Sequence, residues 1–444
     1  MKRILIIINL VISQTLMAQI TLKECIETGL VNQPNINRAK SDVLLTKLQS
    51  VAVKAAYLPQ ISIAYDYRYN TIIPTQVVPV GQFNPIPTDE TRGIQFGTPW
   101  QQNAGISVYQ PVIDFTTQKS IKESNINETL ASIDLKIAED KLTYEIADTY
   151  SRIIIFKFQL EEAMADTVRS YRSYTILNDG FEEGKVLKME LNNAIINHNN
   201  NINQYKKVLA AGITEKIYMH YLTNIALERV LEDNFQEIPA RIIDASNTNV
   251  NFQTESSFDY QKLLRQEKLL NQQIKTERTK YLPRVGFQGF LGANQFSQVF
   301  NPWLNNTWFG NSYVGLALEL SLFSPDKSIN AEKQLRTQLT IVNTQKDELK
   351  LQKNKDLLQL NIEINQLKQE IAILDNNLKL ISENIQLYQE RVKNGQFASA
   401  ELNVQEVEIQ KINNQVKQRK EQLNKAFLQR IYISGQLSDY VKKL

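Results

Sequence analysis

YLPQISIAYDYRYN, running from Tyr57 to Asn70, decides how this chain is read. Beyond Pro59 it alternates: Ile61, Ile63, Tyr65, Tyr67 and Tyr69 take one side, and Ser62, Ala64, Asp66, Arg68 and Asn70 the other. A period of two with one apolar and one polar face is the signature of a strand. A second stretch, YLPRVGFQGFLGAN from Tyr281, opens with the same Tyr-Leu-Pro.

The stretch recurs because the chain recurs. GISVYQPVIDF from Gly105 matches GLALELSLFSP from Gly315, and GKVLKMELN from Gly184 matches GQFASAELN from Gly395. Asn35 stands opposite Asp259, each opening a helical stretch that leads into its strand. A repeat of this length implies two equivalent halves of one architecture. Each half reads helix, strand, loop, strand, very long helix, tight turn, helix. The division expected is a signal peptide over 1–18, a first repeat over 19–235, a linking equatorial segment over 236–252 and a second repeat over 253–444.

Neither Gly nor Pro interrupts the chain between Pro111 and Gly180, or between Pro325 and Gly395. One interior proline costs a helix about 3 kcal/mol, so each interval predicts a single helix of roughly 100 Å. In the second, Leu357, Leu360, Ile364, Leu367, Ile371, Leu374, Leu378, Ile381, Ile385, Tyr388 and Val392 alternate spacings of three and four. That is a coiled-coil seam. Ile373, Leu380 and Leu387 form a second line, so this helix needs neighbours on two sides. Leu142, Ile146, Thr149, Ile153, Phe156, Leu160 and Ala163 give the first long helix a shorter seam.

Lys2 and Arg3 precede the apolar run Ile4–Ile12, and Ala18 offers a cleavage position. This reads as a secretory signal peptide, too short to span a bilayer as a helix. Cys25, the one cysteine, lies beyond the expected cut and is not an acylated first residue. No later stretch is apolar enough for a membrane helix, so the exported chain is either soluble or inserted as strands.

Four strand signals occur, at about 60–70, 104–113, 284–294 and 313–323. Each has the 9–11 residues a membrane strand needs. An Arg facing lipid at midplane costs roughly 2–4 kcal/mol, so Arg68 and Asp66 must face an aqueous lumen while Ile61 and Ile63 face lipid. Four strands cannot close, and lipid does not tolerate an open edge. Eight strands from a dimer or twelve from a trimer both satisfy the geometry. The loops at 71–103 and 294–312, with Trp100, Trp303, Trp308 and Phe309, suit an outer rim with interfacial aromatics.

In its duplicated halves, Leu-Pro strand openings, uninterrupted helices and Gly turns followed by Glu-Leu, the chain resembles a TolC-type outer-membrane efflux protein over nearly all its mature length. The resemblance implies a mainly α fold with a small transmembrane β part. Three subunits would form a helical tunnel and share a 12-stranded β-barrel in the outer membrane. It further implies contact with outer-membrane lipid, a periplasmic adaptor protein and, through the adaptor, an inner-membrane transporter of an efflux or type I secretion system. The adaptor-contacting tips would be Glu183, Gly184 and Lys185 in the first half, and Asn394, Gly395 and Gln396 in the second. Glu190 and Glu401, six residues past each turn glycine, would stand at the entrance constriction. The segment around 212–259 and the C-terminal end would form an equatorial belt. Where some members latch the entrance with Tyr and Arg, this chain has Val392 and Phe397.

The near-balance of 50 basic and 47 acidic residues gives no reason to expect nucleic acid. Two histidines, His198 and His220, and one cysteine do not build a zinc site. No P-loop or GxSxG pattern occurs, so neither catalysis, metal nor cofactor is expected. Gly286, Gly289 and Gly292 lie inside a strand signal, where glycine marks close packing or a bend. A passive outer-membrane conduit is the leading reading; a secreted coiled-coil structural or adhesive protein or a pore-forming toxin stays open beside it.

Overall fold

The computed structural model describes residues 19–80, 85–86, 88–232, 235–237, 254–301, 303, 308–320, 325–393 and 399–437. The expected signal peptide and most of the linking segment lie outside the described residues. In chain order the elements of the first half are α1 (Leu22–Asn32), α2 (Pro34–Ala55), β1 (Gln60–Tyr69), β2 (Thr75–Val78), β3 (Arg92–Gln95), β4 (Trp100–Ile113), α3 (Phe115–Glu182), α4 (Lys188–Thr223) and α5 (Leu227–Leu231). The second half follows with α6 (Phe258–Thr279), β5 (Arg284–Ser297), β6 (Trp308–Glu319), α7 (Pro325–Lys393) and α8 (Ser399–Ile433).

The two glycine- and proline-free intervals are single helices of 68 and 69 residues. At 1.5 Å per residue each is roughly 100 Å long. Proline is at home in the first helical turn, where its missing N–H has no helical partner, and Pro325 opens α7 accordingly.

The described residues form two compact units, one within 19–43, 130–264 and 343–437 and the other within 44–129 and 265–342. In the first unit Ile146, Tyr150, Ile153, Ile154 and Phe158 of α3 pack with Ile26 of α1, Met219 and Leu222 of α4, and Leu428 of α8. The buried Tyr150 hydroxyl lies 2.8 Å from the Ile20 carbonyl and 2.6 Å from that of Gln236, pinning the Ile20–Phe235 parallel bridge onto the core. A second core joins Leu360, Ile364 and Leu367 of α7 to Leu423, Ala426 and Phe427 of α8. The expected seam of α7 is therefore buried at its start. Its second line is not: Ile373, Leu380 and Leu387 are 61, 50 and 58% exposed, with no cover from the described residues.

The second unit carries a four-stranded antiparallel sheet in the order β1-β4-β5-β6. The pairs β1–β4 and β5–β6 are joined where β4 pairs β5. At the base of the sheet Arg278 and Arg336 both bond Glu332, and these hydrogen bonds hold its carboxyl down at about 2.

Three expectations need correcting. The last strand runs from Trp308 to Glu319 rather than over 313–323, because β5 extends to Ser297 and Gln295 pairs with Trp308. Trp100, Trp308 and Phe309, expected in loops, lie in strands, since β4 starts at Trp100 and β6 at Trp308. The loop expected at 71–103 holds a small hairpin, β2 with β3, whose register pairs Val77 with Gly93.

Candidate functional site

Directly opposed residues of antiparallel strands share a face, so the register sorts the sheet into two surfaces. Gln102 of β4 opposes both Tyr67 and Gln295, and Ile106 opposes both Ile63 and Leu291. One face therefore carries Ile61, Ile63, Tyr65, Tyr67 and Tyr69, then Ile106 and Val108, then Val285, Phe287 and Leu291, then Val314, Leu316 and Leu318. Ile63 is 80% and Val314 78% exposed, so none of the described residues covers this apolar band. Ten strand residues at ~3.3 Å span ~33 Å, and a tilt of ~40° brings that to ~25 Å, the height of the apolar band on outer-membrane barrels.

An aromatic cluster ends the band at the loop side. Tyr67 stacks on Trp100 at 5.3 Å, Tyr69 lies 4.7 Å from Trp100, and Phe300 packs against both Trp100 and Tyr67. Beneath this cover Gln102 and Gln295 are buried, and Gln102 donates to Gln295 and accepts from the Tyr65 hydroxyl at 2.8 Å. The hydrogen bonds make the two amides tolerable in an apolar layer. Gln102 falls in a stretch expected as loop, and its partner is 193 residues away.

The opposite face is polar toward the same end. Asp66 accepts from Asn103 Nδ2 at 3.2 Å and lies 3.7 Å from Arg68 Nε, while Arg68 donates to Gln101 Oε1 at 3.0 and 3.2 Å. Both charges sit half-exposed on the side away from Ile61 and Ile63. Lower down the face turns aromatic. The Phe290 ring lies against Gly105 and Gly292, where an added Cβ would overlap it, and the Tyr109 ring covers Gly286. Tyr313 stacks on Phe290 at 5.8 Å. The strand glycines thus seat rings, a use that spacing alone does not disclose.

The segment expected as the first tip is a tight turn between α3 and α4. Gly184 takes φ +74°, a left-handed conformation in which glycine lacks the Cβ penalty. Lys185 and Val186 donate backbone N–H groups to the Gly180 carbonyl at 2.8 and 3.2 Å, and Lys185 Nζ meets Glu183 at 2.6 Å. Glu190 is exposed on the first turn of α4, its carboxylate accepting the Leu187 backbone N–H at 3.0 Å. That bond occupies a helix-end donor with no partner inside the helix. Asn394, Gly395 and Gln396 lie outside the described residues; Glu401 stands on the first turn of α8. Glu190 and Glu401 lie on helices of the first unit, and Asp66 and Arg68 on a strand of the second. Among the described residues no cluster of His, Cys, Asp or Glu could hold a metal ion.

No protein-family model matches the sequence, and no curated protein does. Solved structures do match. The chain is 14% identical to the outer membrane protein VceC of Vibrio cholerae, with 93% of this chain and 96% of that one aligned at a TM-score of 0.67. The CmeC outer membrane channel of Campylobacter jejuni aligns over 95% of this chain and 88% of its own at 14% identity and 0.69. For the open state of the Neisseria gonorrhoeae MtrE outer membrane channel the values are 94%, 89%, 13% and 0.61. The fold is that of these channels, helical with a small antiparallel sheet, and the likeness extends over nearly the whole chain.

Proposed function

We propose that the protein is a passive outer-membrane channel of an efflux or secretion assembly, acting as a homotrimer. One observation carries the reading: a four-stranded sheet with one exposed apolar face and, among the described residues, two unpaired edges, β1 and β6, on a chain that also presents a bare apolar line on a 69-residue helix. In lipid each unsatisfied backbone group costs several kcal/mol, so the edges must pair. Three copies pairing β6 of one with β1 of the next close a 12-stranded barrel. Leu380 and Leu387 are already about half covered, so burying the rest against a neighbour adds roughly 1–1.5 kcal/mol for each side chain. Likeness of fold to outer-membrane channels supports this closure over a dimer.

In this reading the face with Asp66 and Arg68 lines the lumen, and the aromatic cluster around Trp100 sits at the outer interface. The tips at Glu183, Gly184 and Lys185, and at Asn394, Gly395 and Gln396, meet a periplasmic adaptor that couples the channel to an inner-membrane transporter. Glu401 and Glu190 stand at the entrance, where three copies of Glu401 supply a ring of carboxylates. Residues 1–18 are removed on export, 19–235 and 253–444 are the two repeats, and 236–252 belongs to an equatorial belt.

The test is fractionation followed by sedimentation in detergent and conductance in a planar bilayer. The reading expects an outer-membrane protein that begins at Gln19, sediments as a heat-dissociable trimer and forms open pores. A well-folded monomer that forms no pores would overturn it.

A further inference from the structure

On the face assigned to the lumen, the row Ser62, Ser107, Phe290, Tyr313 crosses the sheet from β1 to β6. The row above is Ala64, Gly105, Gly292, Asn311, and the row below contains Gln60, Tyr109, Gln288 and Gly315. Within one chain the described strand residues of these three rows carry no charge: Asp66 and Arg68 lie one row further up or more, while Arg284 and Glu319 oppose each other at the base of the sheet. Glycines at 105 and 292 remove the side chains that would hold the Phe290 ring off the sheet. The ring lies down and its neighbour Tyr313 stacks on it with an interplanar angle of 21°.

Covering a glycine explains Phe290 and Tyr109. It does not explain Tyr313, which overlaps no glycine and in the single chain stays 54% exposed on the face that carries Asp66 and Arg68. A large aromatic left open to water forfeits burial that a serine or asparagine at the same position would not need. What it gains is a flat π-surface beside a second ring, with no fixed charge to select for sign.

We propose that Phe290 and Tyr313 form a stacking ledge for solutes that carry a planar aromatic ring, repeated three times around the lumen. This rests on the channel reading. Offset stacking on such a ledge needs no charge complementarity, so the ledge binds by ring rather than by ion pair. The affinity is weak, which suits a conduit whose cargo must also leave.

The experiment compares two probes of equal charge, tryptamine and hexylamine, as blockers of the ionic current through reconstituted wild-type channels. Tryptamine should block roughly fivefold more tightly, the factor that one aromatic pair supplies. Tyr313→Leu, whose side chain seats over no glycine, should reduce that preference to near unity while open-channel conductance persists. Phe290→Leu should act in the same direction. Equal block by both amines in wild type, or a preference unchanged in Tyr313→Leu, overturns the ledge while leaving the channel standing. Absence of any conductance refutes the channel reading instead, and the ledge with it.

Discussion

Replacing Glu421 with Gln should stabilise the protein, and only above the acidic range. Glu421 sits on α8, 6% exposed, and among the described residues its carboxyl has one hydrogen-bond partner, Asn424 Nδ2 at 3.3 Å. Burial pushes its carboxyl up from 4.5 to about 7, against the hydrogen bond from Asn424 and with help from the charge of Glu237. In the unfolded chain the same carboxyl loses its proton near its ordinary value. Between roughly pH 4.5 and 7 the folded state therefore holds the extra proton, and stability falls as pH rises through that window. Above it the deficit is complete. About 2.5 units at 1.36 kcal/mol each gives roughly 3 kcal/mol per chain. A glutamine side chain there would carry no charge to desolvate and would still accept from Asn424. It would also bring a donor near the Asn424 Oδ1, which is buried without a partner among the described residues. With an unfolding entropy of roughly 2.1 cal/mol/K per residue over some 430 residues, 3 kcal/mol corresponds to a rise of about 3–4 °C in Tm. Thermal melts followed by circular dichroism in detergent at pH 4 and pH 8 are the assay. Wild type and Glu421→Gln should melt together at pH 4 and separate at pH 8. An offset of the same size at both pH values, or a variant that melts lower at pH 8, refutes the reasoning.

Leu380→Glu with Leu387→Glu places charge on the bare line of α7 without touching its buried seam. Light scattering should show trimers giving way to smaller species while helical content is retained; an intact trimer means that line faces solvent. Three copies of Glu401 in a narrow entrance should favour cations, so Glu401→Gln should lower cation selectivity and weaken multivalent-cation block in a bilayer. Asp66→Asn should matter less, because Asp66 is paired with Arg68 in a wider passage screened over about 8–10 Å; the reverse ranking would place the constriction at the other end. Gly292→Val would drive a Cβ to 2.5 Å from the Ala104 carbonyl and into the Phe290 ring, an overpacking worth about 1–3 kcal/mol, and the heat-resistant oligomer band should dissociate at a lower temperature. An unchanged band would mean that the sheet opens there at no cost.

Features set by local periodicity were legible without any structure. Freedom from Gly and Pro over residues 115–179 and 326–394 dictates two long helices, because either residue penalises a helix wherever the rest of the chain lies. Period-two alternation in Tyr57–Asn70 settled which side chains share a face, since successive strand residues point oppositely whatever their neighbours are. Asp66 and Arg68 were separable from Ile61 and Ile63 on that ground alone. The duplication likewise announced two strands per half. Whatever depends on a distant partner needed the folded chain. The start of β6 at Trp308 follows from the length of β5, not from the Leu-rich alternation at 316–322. The Gln102–Gln295 bond, and the seat of Phe290 on Gly105, join residues 185 or more positions apart, and no local pattern encodes such a register. Glu421 looks in sequence like one more charge on a polar helix. Its burial comes from packing among elements that meet only in the fold, and with burial comes its proton.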